Sequence, residues 1–121
     1  MLKHKLEDAI NILVNTGQGF SISMRDVEMP DKGYMVGGFG FEMRIDKHHM
    51  SVFRISRLAY FLRSISTTRE QFIGGWMDDQ GNVCIDISEC VTDILDAKTK
   101  GRANRQDAIY DIANDTDINL K

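Results

Sequence analysis

The chain of 121 residues contains one proline, Pro30, and two cysteines, Cys84 and Cys90. A single proline rules out a proline-rich linker or polyproline segment, and two cysteines are too few for a disulfide framework. Their separation of six matches no common zinc pattern, so both are expected as buried or half-buried structural thiols. No run approaches the roughly 20 apolar residues that cross a bilayer. The start, Met1-Leu2-Lys3-His4-Lys5-Leu6-Glu7-Asp8, turns charged at once and lacks the continuous apolar segment of a secretory leader. A cytoplasmic protein is expected. A basic excess is missing too: the net charge of -3 and pI near 5.5 argue against non-specific binding of duplex nucleic acid.

What is present suits one domain over residues 1–121. Hydrophobic residues make up 42% and charged residues 27%, enough for one modest core and a solvated surface. No linker, low-complexity run or internal repeat divides the chain. The positive charges are clustered, with Arg54, Arg57, Arg63 and Arg69 in one stretch and Arg102 and Arg105 in another. Such local clusters suit a small anion even in an acidic protein.

Hydrophobic periodicity places the elements. Leu2, Leu6, Ala9, Ile10, Leu13 and Val14 recur on one helical face over residues 2–16, with Gly17 at the position of a C-terminal cap. Phe20, Ile22 and Met24 alternate with polar residues in a strand over 19–25, and Met29-Pro30-Asp31-Lys32-Gly33 makes a turn. Tyr34-Met35-Val36 begins a strand that Gly37 and Gly38 interrupt; alternation resumes through Phe39, Phe41, Met43 and Ile45. Glycines there signal a tight bend, a bulge, or close approach by another backbone or a ligand. Ile55, Leu58, Ala59, Leu62 and Ile65 form a helical face, with Ser56 as a candidate cap for a helix to about Ser64. Residues 70–88 read as a hairpin around Asp78-Asp79-Gln80-Gly81. A three-residue loop pairs Asp78 with Asn82 and places Phe72, Trp76, Asn82, Cys84 and Asp86 on one face. A four-residue loop pairs Met77 with Asn82 and groups Phe72 and Trp76 with Val83, Ile85 and Ile87. Ser88 or Thr92 caps a helix through Val91, Ile94, Leu95 and Lys98 that Gly101 ends, and Ala108–Ile112 reads as a last strand or a final helix, the turn at Asn114-Asp115 before Ile118 and Leu120 favouring the strand. The expected fold class is α+β: a small antiparallel sheet of four or five strands, an N-terminal helix, and short helices in the C-terminal half.

The chain carries no P-loop, zincin, nucleophile-elbow or EF-hand string. His48-His49 and Asp78-Asp79 read as solvated loop and turn residues, and a thiolate pair of a cysteine with His48 or His49 has no spacing in its favour. The expectation is a binding protein, not an enzyme, with no metal and no cofactor. Trp76 follows Gly74-Gly75, and small neighbours leave an aromatic face open for a base, although a core position suits it as well; Phe72 has the same two readings. Arginine grips phosphate with a planar fork. Arg25 and Arg44 fall on polar strand faces, Arg54 and Arg57 lie three apart, and Arg102, Asn104 and Arg105 follow a helix end. Convergence of two such groups would hold a pyrophosphate.

With Gly33-Tyr34-Met35-Val36, Gly74-Gly75-Trp76-Met77-Asp78, Gly81-Asn82-Val83-Cys84-Ile85-Asp86-Ile87-Ser88 and Gln106-Asp107-Ala108-Ile109-Tyr110-Asp111, the chain resembles the phage Thoeris anti-defence proteins of the first type over most of its length. The resemblance implies a sponge in the cytoplasm of an infected bacterial host. Such a protein binds a cyclic ADP-ribose-type signal, and in some members cyclic oligonucleotides, without cleaving it. It also implies a homodimer or higher homo-oligomer with pockets between protomers. Carried onto this chain, it implies that Phe72 or Trp76 stacks on adenine, that Asn82 reads a base edge, and that Arg25, Arg54 or Arg57, and Arg105 face phosphate. Two other classes stay open: an inhibitor that binds a host protein through exposed Phe, Met and acidic residues, and a small nucleotide hydrolase.

Overall fold

The computed structural model describes residues 2–24, 28–65 and 71–121. Its elements run α1 (Leu2–Thr16), β1 (Phe20–Ser23), β2 (Tyr34–Val36), β3 (Glu42–Asp46), a 3₁₀ turn (Lys47–His49), α2 (Val52–Ile65), β4 (Gln71–Met77), β5 (Asn82–Val91), α3 (Ile94–Ala103), β6 (Ala108–Asp111) and β7 (Thr116–Asn119). The α+β class holds, but among the described residues the sheet has seven strands rather than four or five. Gly37, Gly38 and Gly40 split one expected strand into β2 and β3, and the chain after Asp115 returns as β7. Every pairing is antiparallel, in the order β1-β4-β5-β2-β6-β7, with β3 also on β5.

Both long helices are amphipathic, and their apolar stripes face the same side of the sheet. Leu2, Leu6, Ile10 and Leu13 of α1 and Ile55, Leu58, Ala59 and Leu62 of α2 are buried against Ile73, Val83, Ile85 and Ile87. Gly17 ends α1 as expected, at φ +77 with its N–H donating to Leu13 C=O at 2.8 Å. Ser51, rather than Ser56, caps α2: its Oγ accepts from Arg54 N–H at 3.2 Å, while Ser56 Oγ donates back to Val52 C=O at 3.0 Å. A second, smaller core of Val36, Val91, Ala97 and Ile109 lies beneath α3.

The α3 cap differs from both expected residues. β5 continues to Val91 and carries Ser88 into the sheet, so the cap falls to Asp93, whose carboxylate accepts from Asp96 N–H at 2.9 Å. Asp93→Ala should cost about 1 kcal/mol, measured as a lowered urea midpoint. Gly101 does not end the helix. It sits within the last turn, where a Cβ would lie 2.6 Å from Leu120 Cδ1 and 2.9 Å from Ile109 Cγ2. Close packing of α3 on the sheet, not termination, requires glycine there.

The hairpin takes the three-residue loop. Asp78 N–H donates to Asn82 C=O at 3.0 Å, and Gly81 adopts φ +80. This register puts Ile73, Met77, Val83, Ile85 and Ile87 under the helices and turns Phe72, Trp76, Cys84, Asp86 and Ser88 to the opposite face. Among the described residues no helix covers that second face.

Candidate functional site

The uncovered face is organised around Asp86. The β4–β5 register sets Gly74 opposite Asp86 and Trp76 opposite Cys84. Asp86 is only 2% exposed although it sits in the middle of a β-sheet. Its Oδ2 accepts from Gly38 N–H at 2.9 Å, and Ser88 Oγ lies 3.3 Å from its Oδ1. Glycines make room for the carboxyl: a Cβ at Gly37 would fall 2.1 Å from Oδ2, and one at Gly74 would fall 2.7 Å from Oδ1. The Gly37-Gly38 interruption is therefore a bulge that closes over a buried acid. Burial, partly offset by the Gly38 and Ser88 hydrogen bonds, pushes the Asp86 carboxyl up to about 7.

The segment after α3 completes the bulge. Asn104 Nδ2 donates to Gly37 C=O at 3.0 Å, and the Gln106 side chain packs on Gly38, where a Cβ would be 2.5 Å from Nε2. Arg105 lies between them. Its N–H donates to Arg102 C=O at 3.0 Å, and Gln106 N–H donates to Gly101 C=O at 2.9 Å. These are the paired bonds of a Schellman helix end, in which the left-handed position normally belongs to glycine. Here Arg105 holds it at φ +59, a conformation that costs a non-glycine residue about 1 kcal/mol or more. Asp115, at φ +51, is the other described non-glycine residue in this region of backbone, and both line the same concavity.

Trp76, Arg44, Glu42, Asp86, Arg105 and Tyr110 all line that concavity, whose volume is about 1030 Å³, at the upper end for small-molecule sites. Trp76 is half-buried and lines the concavity together with Gly19, Gly74 and Gly75. Arg44 Nε lies 3.5 Å from Asp78 Oδ2, which steadies the guanidinium at the hairpin end of the site. Arg44 was legible only as a residue on a polar strand face. Burial pushes the Cys84 thiol above its usual range despite the nearby Arg44, so it is held neutral rather than as a thiolate. No group of acids, histidines and cysteines fit for a metal ion occurs among the described residues.

The residues expected to bind ligand do not gather in one place. Trp76 and Arg105 share the open-face concavity, with Asn104 bracing its wall. Arg54 and Arg57 line a different concavity of about 930 Å³, between α2 and β3 on the helix side of the sheet. Phe72 is sealed at 3% exposure and offers no ring face. Asn82 is spent on the hairpin turn, with its N–H on Asp78 Oδ1 at 2.8 Å and its Nδ2 on Asp78 Oδ2 at 3.1 Å. Arg25 lies outside the described residues. Asp86 and Gln106 were missed as site residues. The available signal was a lone acid inside Val83-Cys84-Ile85-Asp86-Ile87, facing a strand with two adjacent glycines.

No protein-family model, curated protein or solved structure matches the chain.

Proposed function

We propose that the protein is a non-catalytic sponge for a ribose-rich nucleotide diphosphate of the cyclic ADP-ribose type, made by a phage and acting in the cytoplasm of its bacterial host. The observation that carries the reading is the meeting of Trp76 and Arg105 in one concavity on the uncovered sheet face. A base stacks on the indole, a contact worth about 1–3 kcal/mol. Arg105 and Arg44 take the phosphates. The same cavity wall carries Glu42, Asp107, Asp115 and Asp117, and carboxylates accept from ribose hydroxyls, of which such a ligand has several. Capture works by mass action, since a bound signal cannot reach its effector. The resemblance noted in the sequence supports the choice of ligand, and it extends to assembly as a homo-oligomer and to cyclic oligonucleotides as further ligands.

Trp76 is the only tryptophan, so its fluorescence reports the site directly. Titration with cyclic ADP-ribose should quench it saturably, and heat denaturation should return the ligand intact. Absence of both quenching and calorimetric heat, or recovery of a cleaved product, overturns the reading. Arg105→Gly separates function from folding. It relieves the left-handed strain, so thermal stability should rise by up to about 1 kcal/mol while affinity falls roughly tenfold. Unchanged affinity in calorimetry removes Arg105 from the site.

A further inference from the structure

The concavity on the helix side takes no part in nucleotide binding as proposed above, and a second feature of the sheet adjoins it. β3 pairs with β5 along one side, and among the described residues no strand takes its other side. The bonds at its ends set which backbone groups point outward. Ile87 N–H donates to Phe41 C=O at 3.4 Å, and Lys47 N–H donates to Gly81 C=O at 3.2 Å. By antiparallel alternation, Met43 and Ile45 therefore turn their backbone groups to β5, and Glu42, Arg44 and Asp46 turn theirs outward. An open edge of this kind is a template for another strand.

The side chains beside that edge are apolar. On α2, Phe53 is 69% exposed, Tyr60 80% and Phe61 45%. With Met43 and Ile45 of β3 they wall a groove of about 930 Å³. Arg54 and Arg57 also line it, and among the described residues no carboxylate does; the Arg57 guanidinium lies 5.7 Å from the centre of the Phe53 ring. α2 carries three arginines and no acid. Groove and α2 thus agree on the charge of an occupant, while the acids of β3, Glu42 and Asp46, alternate to the opposite face of the sheet.

We propose that β3 and the α2 groove dock an extended, acidic segment of a partner protein. The segment adds to β3 as a strand and seats alternate apolar side chains against Phe53, Tyr60 and Phe61. Its carboxylates lie by Arg54 and Arg57. A second copy of β3 fits poorly, because full antiparallel self-pairing sets Arg44 against Arg44 and Glu42 against Asp46, like charge on like. A bilayer fits less well than a peptide, because the apolar surface is a groove beside a strand edge and not a projecting face.

The test uses the full chain and two short peptides that alternate valine with threonine, one flanked by glutamates and one by lysines. The glutamate peptide should bind, and hydrogen exchange should slow at the amides of Glu42, Arg44 and Asp46 with little change at Met43 and Ile45. The R54E/R57E variant, changed at two exposed positions, should lose roughly tenfold in affinity for the glutamate peptide, about 1.4 kcal/mol, and gain for the lysine peptide. Quenching of Trp76 by nucleotide should be the same in both proteins, which keeps this test separate from the reading of the open face. The proposal falls if neither peptide binds, if binding leaves the outward amides unprotected, if the two peptides bind equally, or if only vesicles of anionic lipid bind.

Discussion

At pH 8 the Asp86→Asn variant should be more stable than the parent protein, whereas near pH 4 the two should differ by no more than about 1 kcal/mol. The acid is buried, and its carboxyl is pushed up to about 7 from the ordinary 3.8. A raised carboxyl favours the protonated folded protein. Between about pH 4 and pH 7 the folded chain keeps a proton that the unfolded chain has lost. Stability therefore falls as pH rises through this window, by about 1.4 kcal/mol per pH unit and about 4 kcal/mol in all. Asparagine fills nearly the same volume. Its oxygen can accept from Gly38 N–H while its amide donates to Ser88 Oγ, so it keeps both contacts and does not titrate. Urea unfolding at several pH values measures the difference directly. A gap between the two proteins that does not widen from pH 4 to pH 8 would show that the carboxyl is not held protonated.

Gly37→Ala should destabilise the fold by about 3 kcal/mol, through overpacking rather than lost backbone freedom. The new methyl would lie 2.1 Å from Asp86 Oδ2 and 2.9 Å from Gln106 Oε1. Both neighbours are braced: the carboxyl by Gly38 and Ser88, the loop by the Asn104 bond to Gly37 C=O. Shortening Asp86 to alanine removes the obstacle, so Gly37→Ala should cost much less in that background, with a coupling energy of about 1–2 kcal/mol. Gly40→Ala is the control. Nothing lies within 4 Å of a Cβ there, but the residue sits at φ +84. It should cost only about 1 kcal/mol, from the left-handed backbone alone, and show no coupling to Asp86. If the Gly37 and Gly40 variants melt alike and neither couples to Asp86, the bulge is not closed over the carboxyl.

Where periodicity was strong, the elements were readable. The stripe from Leu2 to Leu13 gave α1 with its Gly17 end, and the two arms around Asp78–Gly81 gave the β4–β5 hairpin. The caps were misplaced because capping depends on where the preceding element stops. Ser88 is a sound helix cap in isolation but belongs to a strand that β2, β3 and β4 hold in place as far as Val91. Gly101 looked like a helix end for the same reason, since its true constraint comes from Leu120 and Ile109, remote in sequence. The site was partly legible. Trp76 beside two glycines and Arg105 after a helix end were recognised as candidates. Their meeting depends on the Gly37 bulge, which the Asn104 amide joins to the end of α3.

Local order in the chain determined its class, its amphipathic faces and its hairpin, because a 3.6-residue or two-residue repeat expresses itself among near neighbours. Tertiary structure decided the rest. The loop length after Trp76 chose which face received the indole and Asp86, since one step of register exchanges every side chain across a sheet. Long-range strand pairing put Arg54 and Arg57 on one side and Arg105 on the other. The pKa of Asp86 likewise belongs to the fold, because it arises from Gly74 in β4 and Gly37 between β2 and β3, which make room for the carboxyl to be buried.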